Sequence, residues 1–136
     1  MIEDELKPKR QKLIENKNMS NYKKISTHNI KSIDFGDWEL KDIINKNDSK
    51  NISVAIIVHK GNEVELHHSD LSDRIYFVIL GKGKFHFKNE IVNVGEGDLI
   101  YIPKNVSYCS VGQDNFTCLS VLSPAFDQEY EIVDKD

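Results

Sequence analysis

The chain has 136 residues and a formal net charge of −4 at pH 7, and this acidic balance argues against nucleic-acid binding, which needs a concentrated positive field. Hydrophobic residues make up 39% of the chain and charged residues 29%, a composition typical of one globular domain with a buried core. The apolar runs are far shorter than the roughly 20 residues of a membrane span, and the charged start MIEDELKPKR lacks the apolar region of a secretory signal. We therefore expect a cytoplasmic protein with no membrane partner, whose two cysteines, Cys109 and Cys118, are reduced.

Residues 1–24 differ in composition from the rest of the chain. They are rich in Lys, Glu and Asn, and Pro8 interrupts any helix that begins at Glu3. A short helix over 9–16 would have only Leu13 and Ile14 as apolar anchors. The segment is predicted to be an N-terminal arm, weakly ordered or folded as a short helix, that precedes a barrel domain at 25–136.

Short apolar segments separated by turn residues follow from Ile25 onward. The run ISVAIIVH at 52–59 is nearly continuous in apolar character, so it is predicted to be a strand buried on both faces, and Trp38 is predicted to lie in the core. The remaining predicted strands lie at 30–35, 38–44, 64–68, 74–80, 84–88, 91–94, 98–102, 107–111, 116–122 and 130–133. Many short strands with Gly, Pro and Asn between them indicate an all-β sandwich or barrel.

The first of two motifs in this region begins at Gly61. After five residues His67 follows, and Ser69 comes two residues later. Arg74 then precedes Gly81 by seven positions. The spacing resembles the first motif of the cupin superfamily, in which Ser69 takes the place of the second histidine and Arg74 that of the glutamate.

The second motif resembles the second cupin motif in the same way. Gly97 opens it and Pro103 follows at the expected interval. Asn105 replaces a glycine, and asparagine also tolerates the left-handed backbone conformation. Tyr108 stands at the histidine position and Gly112 at the asparagine position.

The resemblance covers residues 38–124 and implies a cupin-type double-stranded β-helix, which is a jelly-roll barrel of two facing antiparallel sheets. In such a barrel the functional positions of both motifs converge on the lumen, and here they hold His67, Ser69, Arg74 and Tyr108. Tyr76 is added to the predicted ligand-binding set because it lies two residues from Arg74 on the same face of a strand. Arginine offers a planar fork for carboxylate or phosphate, and the hydroxyl groups suit a sugar, so a small molecule of one of these classes is the expected partner.

No metal cofactor is predicted, because three of the four usual cupin ligands are absent and a guanidinium in the lumen would repel a cation. A divalent metal held by a rearranged set, His59, His67, His68 and Asp70, remains the alternative. It is disfavoured because His67 and His68 are successive strand residues, which point to opposite faces.

Three functional classes remain open, and the sequence does not decide whether the protein is an enzyme. The first is a small-molecule-binding cupin without metal. The second is a metal-independent enzyme of the epimerase, isomerase or lyase type, for which the resemblance implies His67, Tyr76 and Tyr108 as the catalytic residues. The third is a metal enzyme with the rearranged ligands. A homodimer is expected, because apolar strands and an outward Tyr101 give more hydrophobic surface than one small barrel can bury.

Overall fold

The computed structural model describes residues 21–61, 65–113 and 115–134. About half of these residues lie in strands, and the helical segments among them are two 3₁₀ turns, Thr27–Asn29 and Gln128–Tyr130. Within these ranges no helix is long and apolar enough to cross a membrane. The described part of the chain has eleven strands: β1 (Ile33–Asp34), β2 (Trp38–Ile44), β3 (Ser53–His59), β4 (His67–Ser69), β5 (Asp73–Leu80), β6 (Lys82–His86), β7 (Ile91–Gly95), β8 (Leu99–Ile102), β9 (Cys109–Gly112), β10 (Phe116–Ser123) and β11 (Glu131–Val133).

The strands form two antiparallel sheets. One sheet has six strands in the order β1-β2-β3-β10-β5-β8. The other combines the three-stranded set β7-β6-β9 with the two-stranded set β11-β4. These sets are joined where His67 and Tyr108 exchange two backbone hydrogen bonds of 2.9 Å. The predicted all-β jelly-roll fold is confirmed.

Buried and exposed residues alternate along most of β5. Arg74, Tyr76 and Val78 are buried, whereas Phe77 and Ile79 between and beyond them are exposed. This period of two matches the pleat of a strand, so one face of β5 belongs to the barrel interior. The positions of Arg74 and Tyr76 on a common inward face agree with the sequence prediction.

The hydrophobic core fills one end of the barrel. Phe85 and Phe116 are completely buried there and pack with residues from both sheets. Gly83 and Gly112 leave the room that the Phe116 ring occupies, because a Cβ atom on either glycine would meet that ring. The buried core residues are Tyr76, Val78, Phe85, Val94, Ile102, Tyr108, Phe116 and Cys118.

The turn between β8 and β9 confirms the expectation for Asn105. Its φ of 69° lies in the left-handed region that asparagine tolerates better than other non-glycine residues. Its amide also donates a 2.8 Å hydrogen bond to the carbonyl of Ser69, which ties the second motif to the first.

Two predictions about the interior are wrong. In β3 only Ser53 and His59 at the ends are buried, and the five residues between them are partly exposed, because Ala55 and Ile57 face an open cavity rather than a filled core. Trp38 likewise lines the cavity and is not a core residue. Cys109 and Cys118 are both buried, and neither is part of a disulfide in the described part of the chain.

The predicted N-terminal arm lies mostly outside the described residues, which begin at residue 21. Residues 21–24 have no regular secondary structure. The division of the chain at residue 24 stays a prediction.

Candidate ligand-binding cavity

An open cavity of about 740 Å³ occupies the end of the barrel that the core does not fill. Strands β2, β3, β5 and β10 of the six-stranded sheet line it on one side, and β4, β9 and β11 line it on the other. Its polar lining near the core includes His59, His67, Arg74, Tyr76, Ser110 and Glu131. The volume is in the range of small-molecule binding sites.

Arg74, Tyr108 and Tyr76 form a hydrogen-bonded chain at the floor of the cavity. A guanidinium N–H of Arg74 donates to the Tyr108 hydroxyl, and the hydroxyls of Tyr108 and Tyr76 lie 2.5 Å apart. Burial raises the pKa of Tyr108 well above its usual range, Tyr76 adds to this shift, and Arg74 opposes it. Tyr108 is therefore a neutral phenol that connects the arginine to the cavity-lining tyrosine.

Glu131 neutralises the charge of Arg74. The Nη2 atom of Arg74 donates a 2.9 Å hydrogen bond to Glu131 Oε1, and the side chain of Arg74 is only 6% exposed. Burial by itself lowers the pKa of Arg74, but interactions with Tyr76, Tyr108 and the Glu131 carboxylate outweigh it, so the net pKa is raised and the residue stays cationic. Arg74 is thus a buried cation whose carboxylate partner is Glu131.

His67 and His68 point in opposite directions, as expected for successive strand residues. His67 lines the cavity, and its ring centroid lies 4.5 Å from that of Tyr108. The two ring nitrogens of His68 instead lie 2.8 Å from Asp134 Oδ1 and 2.9 Å from Asp70 Oδ1. His68 therefore belongs to a hydrogen-bonded cluster with Asp70 and Asp134 outside the cavity.

His59, the last residue of β3, forms part of the buried cavity wall. The side chains of His59 and Ser110 are both 3% exposed and both line the cavity. His59 Nε2 lies 2.8 Å from Ser110 Oγ, and His59 Nδ1 lies 3.1 Å from the carbonyl oxygen of Phe116. The period of two along β3 could have placed His59 on the inward face, but no local pattern could have identified Ser110 as its partner.

The structure brings together three of the five predicted ligand-binding residues at the cavity surface, namely His67, Arg74 and Tyr76. Tyr108 is 2% exposed and lies beneath the cavity surface, where its hydroxyl is hydrogen-bonded to Arg74 and Tyr76. Ser69 does not line the cavity, because its hydroxyl accepts hydrogen bonds from the backbone N–H groups of Leu71 (3.1 Å) and Ser72 (2.9 Å). Ser69 therefore stabilises the turn after β4, and a ligand contact by Ser69 stays a prediction.

The residues present do not fit a divalent metal. No group of three or more His, Cys, Asp or Glu side chains in the described part of the chain could hold one. Of the alternative ligand set, His59 and His67 line the cavity, whereas His68 and Asp70 are hydrogen-bonded to each other outside it. The four side chains therefore do not converge on one point.

The mouth of the cavity carries aromatic and acidic groups. The rings of Phe35 and Trp38 stack with centroids 4.3 Å apart and an interplanar angle of 15°. Asp37, Asp42 and Glu65 belong to the same lining. Acidic groups thus outnumber the one cation, Arg74, among the described lining residues.

No protein-family model matches the sequence. Solved structures with the same fold include the nucleoside dehydratase Pac13 of Streptomyces, at 19% identity and a TM-score of 0.71, over 85% of this chain and 92% of Pac13. KdgF of a Halomonas species matches at 15% identity and a TM-score of 0.70, over 80% of this chain and 99% of KdgF. An RmlC-like cupin of Shewanella frigidimarina matches at 14% identity and a TM-score of 0.67, over 80% of this chain and 96% of that protein.

The fold and the two motif regions make this chain a cupin-fold protein, as the sequence predicted. It belongs to the same family as an uncharacterized protein of Aquifex aeolicus (strain VF5). The two are 30% identical over 93 residues, which are 68% of this chain and 76% of the Aquifex protein.

Proposed function

We propose that the protein binds a neutral, polyhydroxylated small molecule of the sugar or nucleoside class in the cavity, without a metal. The observation that carries this proposal is the 2.9 Å pair between Arg74 and Glu131. Because Glu131 already compensates the guanidinium, the cavity floor offers hydrogen bonds without a net positive charge. Of the carboxylate, phosphate and sugar ligands expected from the sequence, the sugar class fits this floor best.

The charge of the cavity mouth supports a neutral ligand over an anionic one. Asp37, Asp42 and Glu65 create a negative field there, which disfavours the entry of a carboxylate or phosphate. The stacked pair of Phe35 and Trp38 offers an apolar surface on which one face of a sugar or base ring can lie. Pac13, which has the same fold, has been solved with uridine, a neutral nucleoside.

A calorimetric titration of paired ligands tests the charge preference. Neutral nucleosides and hexoses are titrated beside their monophosphates, and the neutral member of each pair should bind at least tenfold more tightly. Tyr76→Phe should weaken binding by about 0.5–1.5 kcal/mol, the net value of one hydrogen bond, whereas Tyr101→Phe on the outer face should not change it. Tighter binding of the phosphates would overturn the neutral-ligand proposal, and absence of binding by every neutral ligand would remove its support.

A metal-independent lyase or isomerase is the second candidate, because a base and an acid line the same cavity. His67 would accept a proton from the bound molecule. Tyr76 would donate one, because its phenol lines the cavity and is hydrogen-bonded to Tyr108, which in turn accepts from the Arg74 guanidinium. The Pac13 structures with uridine include one histidine variant and two tyrosine variants.

Product analysis distinguishes between the two candidate functions, a binding protein and an enzyme. Each ligand that binds is incubated with the native protein and followed by NMR for loss of water or inversion of a stereocentre. In an enzyme of this type, His67→Gln should keep affinity within a few fold and lower turnover by roughly 10²–10⁴-fold, while His86→Gln should have no effect. If every bound ligand is recovered unchanged, the protein is a binding protein and this candidate is rejected.

A further inference from the structure

We propose that Ser110 and His59 form a nucleophile–base pair in the cavity wall, which attacks small carboxylic esters and related activated acyl groups. This activity is separate from the ligand binding proposed above and does not depend on it. The evidence is that both ring nitrogens of His59 are engaged: Nε2 lies 2.8 Å from Ser110 Oγ, and Nδ1 lies 3.1 Å from the Phe116 carbonyl oxygen.

The Phe116 carbonyl determines the tautomer of His59. A carbonyl oxygen can only accept a hydrogen bond, so His59 Nδ1 must carry the proton at this contact. In the neutral ring Nε2 is then unprotonated, and Ser110 Oγ–H donates to it. This is the direction of hydrogen bonding that activates a serine hydroxyl.

The pair meets the geometric requirements for an activated nucleophile. Such a site needs a nucleophile and a base within about 2.6–3.2 Å of each other and a third group that orients the base. Here the third group is a main-chain carbonyl in place of an aspartate carboxylate. Because Phe116 is completely buried, its carbonyl is held in place by the packing of the strand that carries it.

The reaction that this geometry supports is acyl transfer. Ser110 Oγ adds to the carbonyl carbon of an ester, the carbonyl π electrons move to the carbonyl oxygen, and the serine proton passes to His59 Nε2. The adduct collapses as the bond to the alcohol oxygen breaks, and His59 returns the proton to that oxygen. Water then adds to the acyl-serine in the same way and releases the carboxylic acid and Ser110.

Ser120 provides a matched control within the same cavity. Its side chain is also 3% exposed and lines the cavity, but the structure describes no histidine partner for it. General reactivity of buried hydroxyls would affect both serines, whereas activation by His59 affects Ser110 alone.

A small dialkyl fluorophosphonate tests the proposal on the full-length native protein, with adducts located by peptide mass spectrometry. A single adduct on Ser110 is expected in the native protein and in Ser120→Ala, and none on that peptide in Ser110→Ala. His59→Gln should slow the labelling by roughly 10²-fold or more, the usual contribution of a general base. No adduct in the native protein, an adduct on Ser120 or Tyr76 instead, or an unchanged rate in His59→Gln would overturn the proposal.

A second measurement does not depend on the folding of the His59 variant. With p-nitrophenyl acetate, the native protein should release a burst of one equivalent of p-nitrophenol as Ser110 is acylated, and Ser110→Ala should show no burst. A burst of equal size in Ser110→Ala would assign the reaction to another group and reject the pair. Neither measurement tests sugar binding. A negative result would therefore leave the proposed binding of a sugar or nucleoside to be tested by the calorimetric titration.

Discussion

Arg74 and Glu131 are 57 residues apart in sequence, and their side chains meet at 2.9 Å between β5 and β11. These strands belong to different sheets, so the pair closes the barrel beside the cavity. Arg74 is 6% and Glu131 13% exposed at the side chain, so water screens their interaction little. The pair therefore contributes to stability as well as to the character of the site.

Arg74→Ala should destabilise the protein by about 3–5 kcal/mol, because it leaves Glu131 without its counter-charge in a nearly buried position. Urea unfolding followed by circular dichroism measures the change. The double variant Arg74→Met with Glu131→Gln should be closer to the native protein, and a loss below about 1 kcal/mol in Arg74→Ala would show that the pair acts as a solvated surface pair.

Gly112→Ala should cost about 1–3 kcal/mol of stability through overpacking. Its new Cβ atom would lie 2.5 Å from Cδ2 of Phe116, whose ring is completely buried and cannot move away easily. Gly95→Ala in β7, on the other side of β6, is the control, because its nearest neighbour, Lys82 Cγ, would be 4.0 Å away. Equal unfolding midpoints for the two variants would contradict this account of the packing around Phe116.

Cys118 should resist alkylation in the folded protein. Burial raises the pKa of its thiol to about 12, so at pH 8 almost none of it is the reactive thiolate. Iodoacetamide at pH 8 should modify Cys118 only after urea unfolding, as read by peptide mass spectrometry. Modification of Cys118 in the native protein, at the rate seen in the unfolded chain, would show that the residue is accessible.

The outer face of β5 and β8 should form a dimer interface. Phe77, Leu99 and Tyr101 are 40%, 55% and 58% exposed, and Phe77 pairs directly with Leu99 across the two strands. Sedimentation at micromolar concentration should give a dimer mass, and Tyr101→Lys should shift it to the monomer. Ile91→Lys, on the other sheet, should leave the dimer intact; a monomer mass for the native protein would reject the prediction.

Elemental analysis of the purified protein should find no stoichiometric zinc, iron, nickel or manganese, because the candidate ligands do not converge. Stoichiometric metal that is lost in His67→Ala would contradict this prediction. It would favour the rearranged-ligand enzyme, and the calorimetric panel would then be repeated with the metal-loaded protein.

The sequence determined the strand order along the chain, the all-β fold and the inward face of β5. These features depend on local rules: a period of two, turn residues at fixed intervals, and an asparagine that tolerates a positive φ at residue 105. The same rules separated His67 from His68 correctly, because neighbouring strand residues must point to opposite faces.

Only the tertiary structure decided what each inward residue contacts. The pairing of Arg74 with Glu131 and the contact of His59 with Ser110 span 57 and 51 residues, and no spacing rule connects positions so far apart. The Phe116 carbonyl that orients His59 is a backbone atom, which every residue has, so its role leaves no mark on the sequence. The sequence of β3 also could not show whether its apolar residues face a filled core or an open cavity. The burial of a strand residue depends on how the second sheet packs over it in the assembled barrel.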